Sequence, residues 1–337
     1  MSDFFPEANQ PGLFATSAWI NAWEESWGDL SGISKENLGL NSDCSIQEDD
    51  NWYSYIYTPA KPLRFKTIFL AGASTTAARS LRSEYFYPPS GCMSSLFNSA
   101  FKFSWDQLWI PDLISNSPQH KELLLCAKRF GLDVVVRDSA TSYAVSLKET
   151  TFSEYLASLS GSTRLKLFNK RKRLVSLGRI EVRNVWPHVN GFLDVLNGFH
   201  LQRWGKVCYE GRNRKLITDF LHNISSEGGE IDLSIIYQNE KPISAVLDVA
   251  YQQRIYNVQS GYLEKFSDGI SLGTLHFGYQ IEKAFTSPAL FYDFMAGDGK
   301  NSNYKKLLAN AECTFISSMV VRSFPLKVLY WIKRKLE

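Results

Sequence analysis

The 337-residue sequence predicts an α/β (α+β) protein in which mixed, mostly antiparallel sheets are flanked by helices. Three observations lead there. The length corresponds to about two domains. Hydrophobic residues make up 44% and charged residues 21%, the balance of a packed globular chain. In its second half the chain reads strand, hairpin, strand, loop, helix, strand, helix, strand, an order that lays helices on a mixed sheet.

Each element has a local cause. Ser17 opens a helix carrying Trp19, Ile20, Trp23 and Trp27 at near-helical spacing. Residues 31–50 are acidic and polar and read as a loop or short helix. Residues 52–57 and 65–70 are strands around a Pro-containing turn. Residues 119–130 form a helix stopped by Gly131, 134–136 a buried strand, and 141–147 a further strand. A helix begins at Ser153. The basic run 164–177 continues as a helix with Leu165, Phe168 and Leu174 as its apolar side and Gly178 as its stop. Residues 180–185 are a strand; 191–204 and 216–226 are helices. Strands 231–237 and 243–251 form a hairpin, and 255–262 is the next strand. The helix 271–285 carries Phe277, Ile281 and Phe285 four residues apart. A short strand 290–295, a helix through 304–308 and a strand 313–321 follow.

Composition excludes several classes. Aromatic residues reach 14%, with nine Trp and sixteen Tyr, favouring a deep core and lined clefts over disorder. The net charge is only +3, yet residues 24–50 hold eight acids and one base, and residues 164–179 hold seven bases and no acid. A local cationic block on a nearly neutral chain suits an anionic ligand or surface better than general nucleic-acid binding. Five scattered cysteines predict free thiols, and neither a signal peptide nor a run of ~20 apolar residues is visible. The expected location is cytoplasmic.

The chemistry concentrates in two places. Between Tyr262 and Thr274 a strand ends, a short loop holds Gly269, Ser271 and Gly273, and a helix begins. Free amides and partial positive charge at a helix start receive phosphate, and glycines let it approach the backbone. The same glycines also suit a turn and close helix–sheet packing. Gly269-Ile-Ser271-Leu-Gly273 fits the nucleophile-elbow pattern of hydrolases as well. An elbow serine sits at the immediate end of a strand, whereas Glu264-Lys265-Phe266-Ser267-Asp268 intervene here, and the last histidine, His276, lies only five residues on, so no general base follows. The five histidines are too dispersed for a metal site. The second place surrounds the short fourth strand. Asp293 interrupts apolar residues and, if buried, requires a cation, with Arg203 or Lys305 as candidates. Asp298 stands in a glycine loop, either as a turn or cap residue or as a base. The final residues, 319–337, mix apolar side chains with Arg322, Lys327, Lys333, Arg334 and Lys335. That makes a basic amphipathic end that can dock on its own domain or contact an anionic membrane.

Five segments, in order, resemble the GNAT acetyltransferase domain of CelD-like cellulose-biosynthesis proteins, related to the FemAB-type peptidyltransferases. They are LSGSTRLKLFNKRKRL, FHLQRWG, KPISAVL, YNVQSGYLEKFSDGISLGTL and YDFMAGDGKNSNYKKLL. The N-terminal TSAWINAWEESWG and FSWDQLWIPDL are similar to the leading region of such proteins. The resemblance implies two tandem GNAT-like halves, over 1–150 and 151–318, followed by the tail 319–337. It also implies transfer from acyl-coenzyme A to an amine, with no metal. The alternatives are an aminoacyl-tRNA donor, the one setting in which nucleic acid would be a partner, and a non-catalytic scaffold in polysaccharide assembly. By matching position, Gly269, Ile270, Ser271, Leu272 and Gly273 take the donor pyrophosphate, and Gln259 and Tyr262 flank the reacting carbonyl. Tyr256 or Tyr304 is the acid, Asp298 the base, and Arg203, Trp204, Asp293 and Lys305 line the acceptor side.

Overall fold

The computed structural model describes residues 12–30, 33–37, 53–57, 65–75, 78–81, 93–296 and 302–336. The chain begins with helix α1 (Ser17–Trp27), strands β1 (Ile33–Asn37), β2 (Tyr53–Tyr57) and β3 (Thr67–Leu70), and helix α2 (Met93–Ala100). Next come β4 (Gln107–Ile114), α3 (Pro118–Arg129), β5 (Asp133–Ser146), α4 (Phe152–Ser158), α5 (Gly161–Arg164) and α6 (Arg171–Ser176). They are followed by β6 (Ile180–Asn184), α7 (Val189–Trp204), α8 (Gly211–Ser226), β7 (Glu230–Gln238), β8 (Lys241–Tyr251) and β9 (Arg254–Tyr262). Last are α9 (Leu272–Ala284), β10 (Phe291–Asp293), α10 (Ser302–Leu308), β11 (Ala311–Val321) and α11 (Phe324–Leu336). The chain divides into two compact units, one running up to Thr141 and resuming at Cys313, the other spanning Ser142–Glu312.

In the first unit the strand order is β1, β2, β3, β4, β11 and the first part of β5. The pairs β1–β2, β2–β3 and β4–β11 are antiparallel and β3–β4 is parallel. Aromatic bulk fills its core. Trp19 and Trp23 of α1 are fully buried, Phe14 meets Trp19 edge-on at 4.7 Å, and the Trp19 indole N–H donates to the Gly72 carbonyl at 3.0 Å. Thr16, one residue ahead of the expected Ser17, caps α1 by accepting from the Trp19 N–H.

In the second unit the last residues of β5 pair with β10, followed by β9, β8, β7 and β6. Only β10–β9 is parallel. The β7–β8 hairpin closes through Asn239 and Glu240, at φ 47° and 64°, a tight turn whose twist matches the strands. Helix α9 lies on the sheet and supplies both apolar clusters. Phe277 and Ile281 pack with Leu167, Tyr292 and Phe294; Leu272 and Leu275 pack with Leu174, Ile236 and Ile243.

Several expectations are corrected. The basic run is interrupted by a π-turn over Leu165–Asn169, where the Lys170 N–H reaches the Leu165 carbonyl. The additional residue in that turn rotates the face, so Leu167 and Leu174 are buried and Leu165 is exposed. Residues 134–136, expected as a buried strand, are part-exposed and merge with 141–146 into the single strand β5. The acidic stretch, expected as loop or helix, contains β1.

Candidate active site

The site begins with an irregularity in the sheet. The β8–β9 register shifts between Leu247↔Gln259 and Asp248↔Asn257, leaving Val258 as an additional residue that bends β9. On its other side β9 pairs in parallel with β10 only as far as Tyr256↔Asp293, then runs on to Tyr262. Gln259 and Tyr262 lie on this continuing stretch, and the Gln259 side chain accepts from the Ser260 N–H at 3.0 Å. Tyr256, the last paired residue, is buried.

Beyond β9 the chain crosses to α9 through a loop in which Gly269 adopts φ +73°. Ser271 occupies the N-cap without a side-chain cap bond; its hydroxyl pairs with that of Thr274 at 3.1 Å. Lys170 donates to the Gly269 carbonyl, and a β-carbon on Gly269 would lie 3.3 Å from Lys170 Nζ and 3.5 Å from Arg173 Nη1. Two cations of the basic run therefore stand beside the helix start. The inner side of the loop is closed. Ile270 and Leu272 are buried in the core, and the Ile270 N–H already donates to Ser267 O. Gly273 lies under the Tyr262 ring, so its lack of a side chain serves ring packing. Among the five expected phosphate residues, the accessible ones are Gly269 and Ser271.

Arg203, at the C-terminal end of α7, joins the two sides of the site. Its guanidinium donates to the Tyr262 hydroxyl at 2.8 Å, pairs with Glu264 at 2.8 Å and sits 4.8–4.9 Å from the Trp204 and Tyr262 ring centres. Tyr304 of α10 is close enough to feel the charges of Tyr262 and Arg203, and stacks on Phe277 at 5.7 Å. Burial pushes its phenol up to about 12, with Tyr262 adding to the rise, so it stays protonated at neutral pH. Residues 259, 262, 203, 204, 273 and 304, drawn from both the donor and the acceptor expectations, thus converge on the end of β9.

Residues 161–306 match the family model described as the acetyltransferase (GNAT) domain. The chain carries a GNAT domain. Its chemistry class is that of acyltransferases. None of the curated proteins matches the chain. In fold it is similar to FemX, with 11% identity over 96% of both chains and a TM-score of 0.62. It is also similar to L-PGS from Bacillus licheniformis, with 12% identity over 95% of this chain and 96% of that one and a TM-score of 0.50. A third similarity is to the C-terminal domain of a putative lysylphosphatidylglycerol synthetase from Agrobacterium fabrum, with 9% identity over 94% and 96% and a TM-score of 0.51. At such identities the likeness is one of fold.

Within the GNAT domain the remaining expected residues hold the end of β10. Asp293 is fully buried and pairs with Arg254 at 2.8 Å, a cation the sequence expectation did not name. It also accepts from Ser142 at 2.9 Å and from the Met295 N–H at 2.7 Å. Met295 itself has φ 58°, and its carbonyl accepts from Lys305 at 2.8 Å. Asp293 and Lys305 together fix the turn that leads into Asp298, which lies outside the described residues.

Two buried polar centres escaped the sequence reading. His276 bridges the Ser234 and Ser244 hydroxyls at 2.9 and 2.8 Å, and burial pushes its imidazole down to about 3. Neutral and held against the sheet, it does not serve Ser271, which leaves the hydrolase pattern without its base. Asp248, a lone acid in the apolar strand β8, receives Asn257, Gln280 and Tyr292 at 2.8–3.2 Å. Burial pushes its carboxyl up to about 7. Its signal in the sequence is the same as that of Asp293, a single charge inside an apolar strand. Among the described residues no His/Cys/Asp/Glu group could hold a metal ion, and no helix is long and apolar enough to cross a membrane.

Proposed function

We propose that this chain is an N-acyltransferase that moves an acyl group from acyl-coenzyme A to an amine by direct attack, in cell-envelope or polysaccharide metabolism. The observation that carries the reading is that β9 runs on unpaired by β10 after Tyr256, beside a helix start flanked by Lys170 and Arg173. A thioester laid along the continuing stretch of β9 would present its carbonyl near Gln259 and Tyr262. Its diphosphate would meet Gly269, Ser271 and the two cations. The amine nitrogen attacks the carbonyl carbon, the carbon–sulfur bond breaks, and the thiolate takes a proton from Tyr304. Asp298 is the proposed acceptor of the amine proton, and Arg203 and Trp204 border the acceptor.

Thermal shift and calorimetric titration with acetyl- and longer acyl-coenzymes test this. Saturating donor stabilises a folded protein by about 2.7 kcal/mol at a hundredfold excess over Kd. Lys170→Ala and Arg173→Ala each weaken that binding roughly tenfold, the loss of one hydrogen bond to a charged group. A protein that binds none of these thioesters refutes the coenzyme A form. The seven bases of residues 164–179 then favour an aminoacyl-tRNA donor, read by transfer from charged tRNA. Failure of both donors leaves the scaffold reading.

A further inference from the structure

Helix α11 is held to its own unit by a narrow face. Leu326 is its only buried residue among those described; Lys327 reaches the Gly131 carbonyl at 2.9 Å and Asp133 at 3.3 Å, and Tyr330 reaches Gln107 at 3.1 Å. The rest of the helix turns apolar bulk outward: Phe324, Leu329, Trp331 and Leu336 are 77%, 47%, 63% and 83% exposed, with Val328 and Ile332 between them. On a helical projection these residues share one arc of about 160°. Such a face exceeds the scattered apolar residues a soluble surface carries.

The charge of the segment selects what covers it. Residues 320–336 hold five bases and no acid. Beside the helix a groove of about 680 Å³ runs along the first part of β5, bordered by Val134, Val136, Arg137, Tyr330, Lys333 and Arg334. In a two-fold contact between copies, this cationic segment would meet itself, like charge against like. An anionic lipid surface instead neutralises the cations while the acyl boundary takes the aromatic and aliphatic arc. We propose that α11 and the adjoining groove are a docking surface for an anionic bilayer, with Phe324, Trp331 and Leu336 inserted and Lys333, Arg334 and Lys335 on the headgroups. The proposal is independent of the donor.

The test is flotation of the full chain with vesicles of phosphatidylcholine, alone and mixed with phosphatidylglycerol, with light scattering of the lipid-free protein alongside. The expected result is binding to the mixed vesicles that weakens with added salt. Replacing Lys333, Arg334 and Lys335 together by Ala lowers the partition coefficient roughly a hundredfold, about fivefold per cation. Trp331→Ser also lowers it while leaving its salt dependence in place. All four side chains are exposed, so the fold is retained, which a circular-dichroism melt checks. Absence of binding, equal binding to neutral and mixed vesicles, or unchanged binding of the triple variant overturns the proposal. A lipid-free dimer that Trp331→Ser dissociates, with no vesicle binding, assigns the surface to a second copy instead.

Discussion

Alanine at Gly273 probes the contact that ties α9 to the end of β9. A β-carbon there would lie 2.4 Å from Tyr262 Cε1, 2.8 Å from Cδ1 and 3.1 Å from Cζ, far inside the ~3.5–4.0 Å of a carbon–carbon contact. The ring is not free to yield, because its hydroxyl accepts from Arg203 and Arg203 is paired with Glu264. Overpacking of this kind costs about 1–3 kcal/mol, while the better helix propensity of alanine returns up to ~1 kcal/mol. Gly273→Ala is therefore expected to lose roughly 1–2 kcal/mol in the wild-type background. With Tyr262→Ala already in place the clash is gone, and the same substitution gains up to ~1 kcal/mol. Urea unfolding of the four proteins reads the cycle, with a coupling on the order of 2 kcal/mol. Gly278→Ala is the contrast: its β-carbon would meet the Leu167 carbonyl oxygen at 2.1 Å, where only backbone movement relieves the overlap. An alanine at 273 that costs the same with and without the Tyr262 ring would refute the packing argument.

Three further outcomes follow from the buried polar centres. Breaking the Arg254–Asp293 pair from one side, by Arg254→Met or Asp293→Leu, costs about 3–5 kcal/mol in urea unfolding, and the double substitution recovers part of it; additive losses would show the two groups to be independent. Burial pushes the Asp248 carboxyl from the ordinary carboxylate range up to about 7, so the folded state holds the proton more tightly. Stability therefore falls as pH rises from about 4 to about 7 and levels above that, by on the order of a few kcal/mol, in an environment that includes Asp232 and Tyr292. Asp248→Asn removes this slope in melts taken across that range, and an unchanged slope contradicts the assignment. Ser271 is expected to resist a fluorophosphonate probe, since His276 is engaged with Ser234 and Ser244; labelling would restore the hydrolase reading.

Strand periodicity and turn chemistry carry much of the second unit. The segments 231–237, 243–251 and 255–262 read as strands and are strands, because each alternates or runs apolar between strong turn residues. The π-turn at Leu165–Asn169 is not legible: a pattern of 3.6 residues per turn has no place for an inserted residue, and it puts Leu165 in the buried position that Leu167 occupies. Strand β4 is not legible because Pro111 and Asp112 interrupt its apolar run, and helix α2, at eight residues, is too short to declare a helical period. Within the site, the sequence supplied the residue types at the end of β9 but not their pairings. Asp293 visibly required a cation, yet Arg254 lies 39 positions away and only the parallel β9–β10 pairing makes it a neighbour. The Val258 bulge leaves no mark at all, since it is a property of two strands' register and not of either strand.

The return of the chain to its first unit has a consequence for synthesis. Strand β11 lies between β4 and β5, so that unit's sheet lacks an interior strand until residues past Cys313 emerge. The unit spanning Ser142–Glu312 is contiguous and can assemble as soon as it clears the ribosome. Until then β4 and β5 each present an open hydrogen-bonding edge, where a nascent chain is vulnerable to wrong pairing. The inserted unit is therefore complete in the nascent chain before the one that encloses it in sequence.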